Sequence, residues 1–204
     1  GQHTGTISAL FMGVPGLKVV APSTAADAKG LMATAIRDDN PVVYLHNYLL
    51  TLEHGEVPDG EYLVPFGQAA IRREGGDVTI VATGWAVDRA LNAAEELAGE
   101  GIEAEVIDPR TLNPLDMPTI LESVAKTGRL VLVDQATRHA SAATVIAGEV
   151  AEHGFASLKA PIVQVTALDA TVPYSEPLEA YVMPNEAKVV TAVKQVLGAA
   201  PVPA

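Results

Sequence analysis

Cysteine is absent from the 204 residues, which excludes disulfides, Cys-ligated zinc, iron–sulfur clusters and thiol nucleophiles. Aromatic residues make up only 4%, so a core has to be assembled from Ala, Val, Leu and Ile. Positive charge is scarce. Lys and Arg number 13 against 25 Asp and Glu, a formal net charge of −12. Such a chain repels phosphate backbones and anionic lipid, so neither nucleic acid nor a membrane surface is an expected partner. No apolar run reaches the roughly 18 residues that span a bilayer. The first residues lack the basic-then-apolar pattern of a signal peptide, and a cytoplasmic location is expected.

What is present is apolar and periodic. Hydrophobic residues reach 49%, enough for buried parallel strands with helices packed on them. LKVVAPS (17–23) reads as a strand, AADAKGLMATAIRDD (25–39) as a helix capped by Ser23 or Thr24, and PVVYLHN (41–47) as a second strand. This front unit, residues 1–47, has too few strands to close a core alone. The pattern then breaks between His46 and Gly67, where Pro, Gly and acids mix without a period, and 48–66 reads as a linker.

Regular alternation follows over 67–198. DVTIVATG, IEAEVIDPR, RLVLVDQ and APIVQVTA read as strands. Between them lie amphipathic helices, among them one marked by Val87, Ala90, Leu91, Ala94 and Leu97, and one with a Glu122/Lys126 pair that ends at Gly128. A last helix starts at Asn185 and turns Val189, Val193 and Val196 inward. The fold class is therefore α/β, with a doubly wound, mostly parallel sheet. Residues 199–204 read as a frayed tail.

Four common nucleotide, metal and nucleophile signatures are missing: G-x-G-x-x-G, G-x-x-x-x-G-K-[ST], H-E-x-x-H and G-x-S-x-G. Asp134, Arg138 and His139 follow a strand's carboxyl end, where open α/β sheets bind ligands, although these residues equally allow a plain polar loop. His3 stands in GQHTG, and a Gly-flanked imidazole suits proton transfer near neutrality or an ordinary surface position. In AIRDDNP, Pro41 forces the helix to stop. The helix end leaves carbonyls without partners and carries negative dipole charge. Ala35, Ile36, Asp38 and Asn40 thus offer oxygens to one monovalent cation, or form a solvated helix end.

The stretch GQHTGTISALFMGVPGLKVVAPSTAADAKGLMATAIRDDNPVV, followed by GEVPDGEYLVPFG, VIDPRTLNPLD and VPYSEPLEAYVMPN, resembles the beta subunit of thiamine diphosphate-dependent 2-oxo acid dehydrogenases. These are the decarboxylating components for pyruvate, branched-chain 2-oxo acids and acetoin. The resemblance runs in order along the whole chain. It implies that 1–47 is the rear of a pyrimidine-binding domain and 67–198 a transketolase C-terminal domain, so that the chain is expected to be the later part of a longer subunit. It implies that His3 lies near the cofactor's thiazolium and moves protons, and that potassium binds around Ala35, Ile36, Asp38 and Asn40. The activating glutamate would precede Gly1, and an alpha subunit would hold the diphosphate and magnesium, so this chain alone is expected to be inactive. Implied partners are that alpha subunit, a second beta subunit and a lipoyl acyltransferase core that docks on the C-terminal domain. A non-catalytic docking module and a sugar-phosphate transketolase are the competing readings. Removing the missing front strands would bare KVVAP and VVYLH, so residues 1–47 are expected to be either covered by another chain or partly disordered.

Overall fold

The computed structural model describes residues 4–198. His3 and the tail expected at 199–204 lie outside the described residues. The front unit starts with a short helix, α1 (Ser8–Met12), which no apolar period announces. Then follow β1 (Lys18–Val20), α2 (Ala25–Arg37) and β2 (Val42–Tyr44). Thr24 caps α2 by accepting from the Asp27 N–H. The helix stops at Arg37, two residues short of its expected end, because Asp38 is already extended on the approach to Pro41. The expected linker is irregular, except for a 3₁₀ turn at Tyr48–Leu52 that the Asn47 side chain caps.

Eleven further elements and a short turn follow among the described residues: β3 (Ala70–Arg73), β4 (Val78–Ala82), α3 (Ala86–Ala98), β5 (Ala104–Asp108), β6 (Thr111–Asn113), α4 (Met117–Thr127), β7 (Leu130–Thr137), α5 (Ala142–His153), a 3₁₀ turn at Phe155–Ser157, β8 (Val163–Ala167), α6 (Glu176–Val182) and α7 (Glu186–Val196). The large sheet runs β3-β5-β4-β7-β8. All its pairings are parallel except that of the edge strand β3, which runs antiparallel to β5. Helices α3 and α7 cover one face through Val87, Leu97, Val189 and Val193. Helices α4 and α5 cover the other through Ile120, Val124, Ile146 and Val150. Both β4 and β5 are buried along their whole length, as strands sandwiched between helix layers must be. Gly128 closes α4 in the left-handed region at φ +75°, as its position after the last periodic residue predicts.

Three expectations need correction. Strand β1 is not bare: β2 pairs with one edge in parallel and β6, from beyond the linker, pairs with the other antiparallel. Val19 and Val20 are fully buried as a result. Strand β2 stays at the sheet's edge. Lys126 does not pair with Glu122 but with the buried Glu105 on β5, and more loosely with Glu74 at 3.8 Å. Finally, β3, β6 and α6 appear where no element was read, since none is long enough to show a period.

Candidate functional site

A charged cluster joins the two units. Asp27, in the first turn of α2, faces Arg72 from β3 and Arg110, the residue just before β6. Arg72 also donates through Nη2 to Asp108 at 2.8 Å. Ser23 and the Arg110 backbone N–H donate to the same Asp108 carboxylate. Two aspartates meet two arginines, so the buried charge balances. Burial works against ionisation of Asp27, but bonds from Arg72, Thr24 and Arg110 outweigh it and hold the carboxyl below its usual range. Asp108 is wholly buried, and burial pushes it up against the pull of Arg72, Ser23 and the Arg110 N–H. Arg110 adopts φ 60°, a left-handed backbone that aims its guanidinium at Asp27 and at the carbonyls of Gln68 and Ala69.

Beside this junction lies a cleft of about 650 Å³ at the carboxyl ends of strands from both sheets. The front unit contributes Thr4 to Ser8, Ala21 after β1, and Tyr44 to Leu49 after β2. The rear unit contributes Thr83 and Gly84 after β4, Asp134 and Gln135 in β7, and Glu179 on α6. Carboxyl ends of strands are where open α/β folds bind ligands. The Asn47 amide donates to the Gln135 side chain across the cleft. His46 Nε2 lies 2.9 Å from the Thr51 hydroxyl. Asp134 is nearly fully buried and accepts from the Ala136 N–H at 3.0 Å and the Ala143 N–H at 3.4 Å. Burial raises its pKa, and these N–H groups and the Thr83 hydroxyl only partly offset that. The Ser8 hydroxyl is buried with no hydrogen-bond partner among the described residues.

The residues singled out from sequence separate. Asp134 lines the cleft, whereas His139 is exposed and 3.5 Å from Asp169, in a second groove against α1. Ala35, Ile36, Asp38 and Asn40 sit together at the end of α2. The Ala35 carbonyl accepts from the Asp38 N–H at 3.3 Å. Among the described residues, no hydrogen bond reaches the carbonyls of Ile36, Asp38 or Asn40. The Asp38 carboxylate takes the Lys18 ammonium and both nitrogens of Asn40. Those bonds, the one from Lys18 foremost, hold its pKa down at about 2. Sequence reasoning missed His46, Ser8 and Glu179, because the turns that bring them to one cleft leave no local pattern.

Comparison with known proteins accounts for the two-part plan. The model of the transketolase C-terminal domain matches residues 67–189, more than half of the chain. The model of the transketolase pyrimidine binding domain matches residues 1–49. The acetoin:2,6-dichlorophenolindophenol oxidoreductase subunit beta of Cupriavidus necator is 50% identical over 197 residues, which cover 96% of this chain and 58% of that protein. The pyruvate dehydrogenase E1 component subunit beta of Rhizobium meliloti is 46% identical over 196 residues, covering 96% of this chain and 43% of that protein. A solved split gene transketolase, an inactive beta4 tetramer, superimposes with a TM-score of 0.79 at 29% identity, over 94% of this chain and 60% of that one. The chain thus spans well under two thirds of these relatives' lengths.

Proposed function

We propose, since the chain belongs to the transketolase C-terminal domain family, that it is the later part of the beta subunit of a thiamine diphosphate-dependent 2-oxo acid or acetoin dehydrogenase. The observation that carries this is the near end-to-end alignment, at 46–50% identity, with beta subunits of both kinds. In this reading residues 1–47 are the rear of the pyrimidine-binding domain, 48–66 the linker and 67–198 the C-terminal domain. The proposed location is the cytoplasm.

The cleft fits the ring half of the cofactor and not its diphosphate. Its walls offer Ile7, Leu45, Leu112 and hydroxyl groups, but no Lys or Arg. Among the described residues no group of three His, Cys, Asp or Glu side chains gathers to hold a magnesium ion. In this reading diphosphate and magnesium are held by an alpha subunit, as the resemblance implies. When bound, thiamine diphosphate supplies the electron sink for carbon–carbon cleavage. This chain's part is to orient and to move protons: His3, outside the described residues, is the proton carrier the resemblance implies, and Thr4, Ser8 and His46 are hydrogen-bonding groups of the cleft wall. The end of α2 holds potassium through the oxygens of Ala35, Ile36, Asp38 and Asn40, supported by the carbonyls left without donors there. Large apolar side chains stand exposed on the front unit and the linker, with Leu10 at 71%, Ile36 at 77% and Leu52 at 80%. Exposed apolar side chains of this size suit burial against the alpha subunit and a second beta subunit.

The test is reduction of dichlorophenolindophenol by the gene's full product mixed with an alpha subunit, thiamine diphosphate and either acetoin or pyruvate. Dye reduction that needs the cofactor is expected, together with a loss of about 10²-fold or more in His3→Ala. A protein that binds a lipoyl acyltransferase core but reduces no dye with either compound would be a docking module instead.

A further inference from the structure

Behind the cleft lies a strained turn. Thr111 donates its N–H to the Pro109 carbonyl at 2.6 Å, which closes a three-residue turn around Arg110. With Arg110 at φ 60°, this is the rare and strained hand of that turn. A side-chain-bearing residue keeps such a backbone only where its surroundings over-determine it, and residues of this kind cluster at functional sites. We propose that Arg110 is a positioning residue of the cleft, holding the segments that form part of its wall, Ala21 with Pro22 and Leu112, at a fixed spacing. The ligand used to test this, thiamine diphosphate, rests on the dehydrogenase reading above.

Arg110 meets four separate segments of the chain. Its carbonyl accepts from the Ala21 N–H at 2.9 Å. Its own N–H donates to the Asp108 carboxylate at 2.9 Å. Its guanidinium donates to Asp27 on α2 at 3.0 Å, and to the carbonyls of Gln68 at 3.0 Å and Ala69 at 3.4 Å. Asp108 in turn accepts from the Ser23 hydroxyl. Pro22 lines the cleft and has no N–H of its own to anchor it. It is pinned from both sides instead, through Ala21 to Arg110 and through Ser23 to Asp108. Leu112, two residues past Arg110, lines the same cleft and is buried. One residue thus ties the front unit's share of the wall to the rear unit's. Glycine would adopt the turn without strain, but only arginine brings a rigid fork of donors that reaches a carboxylate and two carbonyls at once.

The experiment compares Arg110→Ala, Arg110→Gly and Arg110→Lys in the gene's full product, reconstituted with an alpha subunit. Glycine relieves the strained turn and alanine does not, so Arg110→Gly is expected to melt at the higher temperature of the two. Both lose the fork, and both are expected to raise the KM for thiamine diphosphate by about 10- to 100-fold, measured below either melt. Arg110→Lys keeps one donor towards Asp27 and is expected to fall between them and wild type. A KM that tracks melting temperature, near wild type in Arg110→Gly and poor in Arg110→Ala, makes Arg110 a merely structural residue and overturns the inference. A KM unchanged in both variants overturns it too. A second arm needs neither cofactor nor turnover and follows hydrogen exchange by mass spectrometry. In Arg110→Gly the peptides holding Ala21 and Leu112 should exchange about tenfold faster, while the peptide holding β4 keeps its rate. Equal rates in wild type and variant, or acceleration along the whole chain, overturn the inference. Wild type that reduces no dye sinks the dehydrogenase reading, and the exchange rates then decide this inference by themselves.

Discussion

At the scale of single residues, Asp38 gives a prediction whose sign is fixed. Its carboxyl falls from 3.8 to about 2 because Lys18, then Asn40, bind the charged form. A depressed pKa contributes stability that is present above the unfolded value and lost as pH falls towards the folded one. The loss therefore sits between about pH 4 and pH 2, and stability at neutral pH is untouched. Carboxyl NMR titration should find the Asp38 midpoint near 2, and Lys18→Met should return it towards 3.8. Salt should raise the midpoint, because the pair is open to solvent. Arg72 is different, since its partner Asp108 is wholly buried. Arg72→Met strands that carboxylate and should cost about 3–5 kcal/mol, read from denaturant melts. Caps such as Thr24, Asn185 and Gly128 were legible in the sequence, because each acts within four residues. The Asp27–Arg72 and Asp27–Arg110 contacts were not, since they join positions 45 and 83 residues apart.

At the scale of elements, the strands and helices that carry a sustained apolar pattern were all visible. What escaped were pieces of three to seven residues, such as β6 and α6, which are too short for either period to repeat. The end of α2 tests the cation proposal directly. Potassium should raise the melting temperature of the full subunit in a saturable way, and lithium or sodium should do so less. Equal shifts with all three would reduce the effect to ionic strength. The measurement is a thermal melt at constant total chloride.

At the scale of the whole molecule, the doubly wound sheet was legible and the joining of the two units was not. Alternating apolar and amphipathic segments announce a parallel sheet wherever they occur. Nothing in them announces that a strand of one unit completes the sheet of another. Charge speaks at this scale too. The net −12 favours a basic docking partner, and if the proposed lipoyl acyltransferase core is that partner, its binding should weaken as salt rises. Surface plasmon resonance from low to high salt checks this, and an affinity indifferent to salt would argue for an apolar contact.

The strand β6, lent to the front sheet, imposes an order on synthesis. Residues 111–113 leave the ribosome long after β1 and β2, so the leading half must wait, half-paired, until the later half arrives to close it. A polypeptide cut anywhere in the connecting stretch should yield a leading piece that clumps, and a chaperone should hold the nascent chain until that strand emerges.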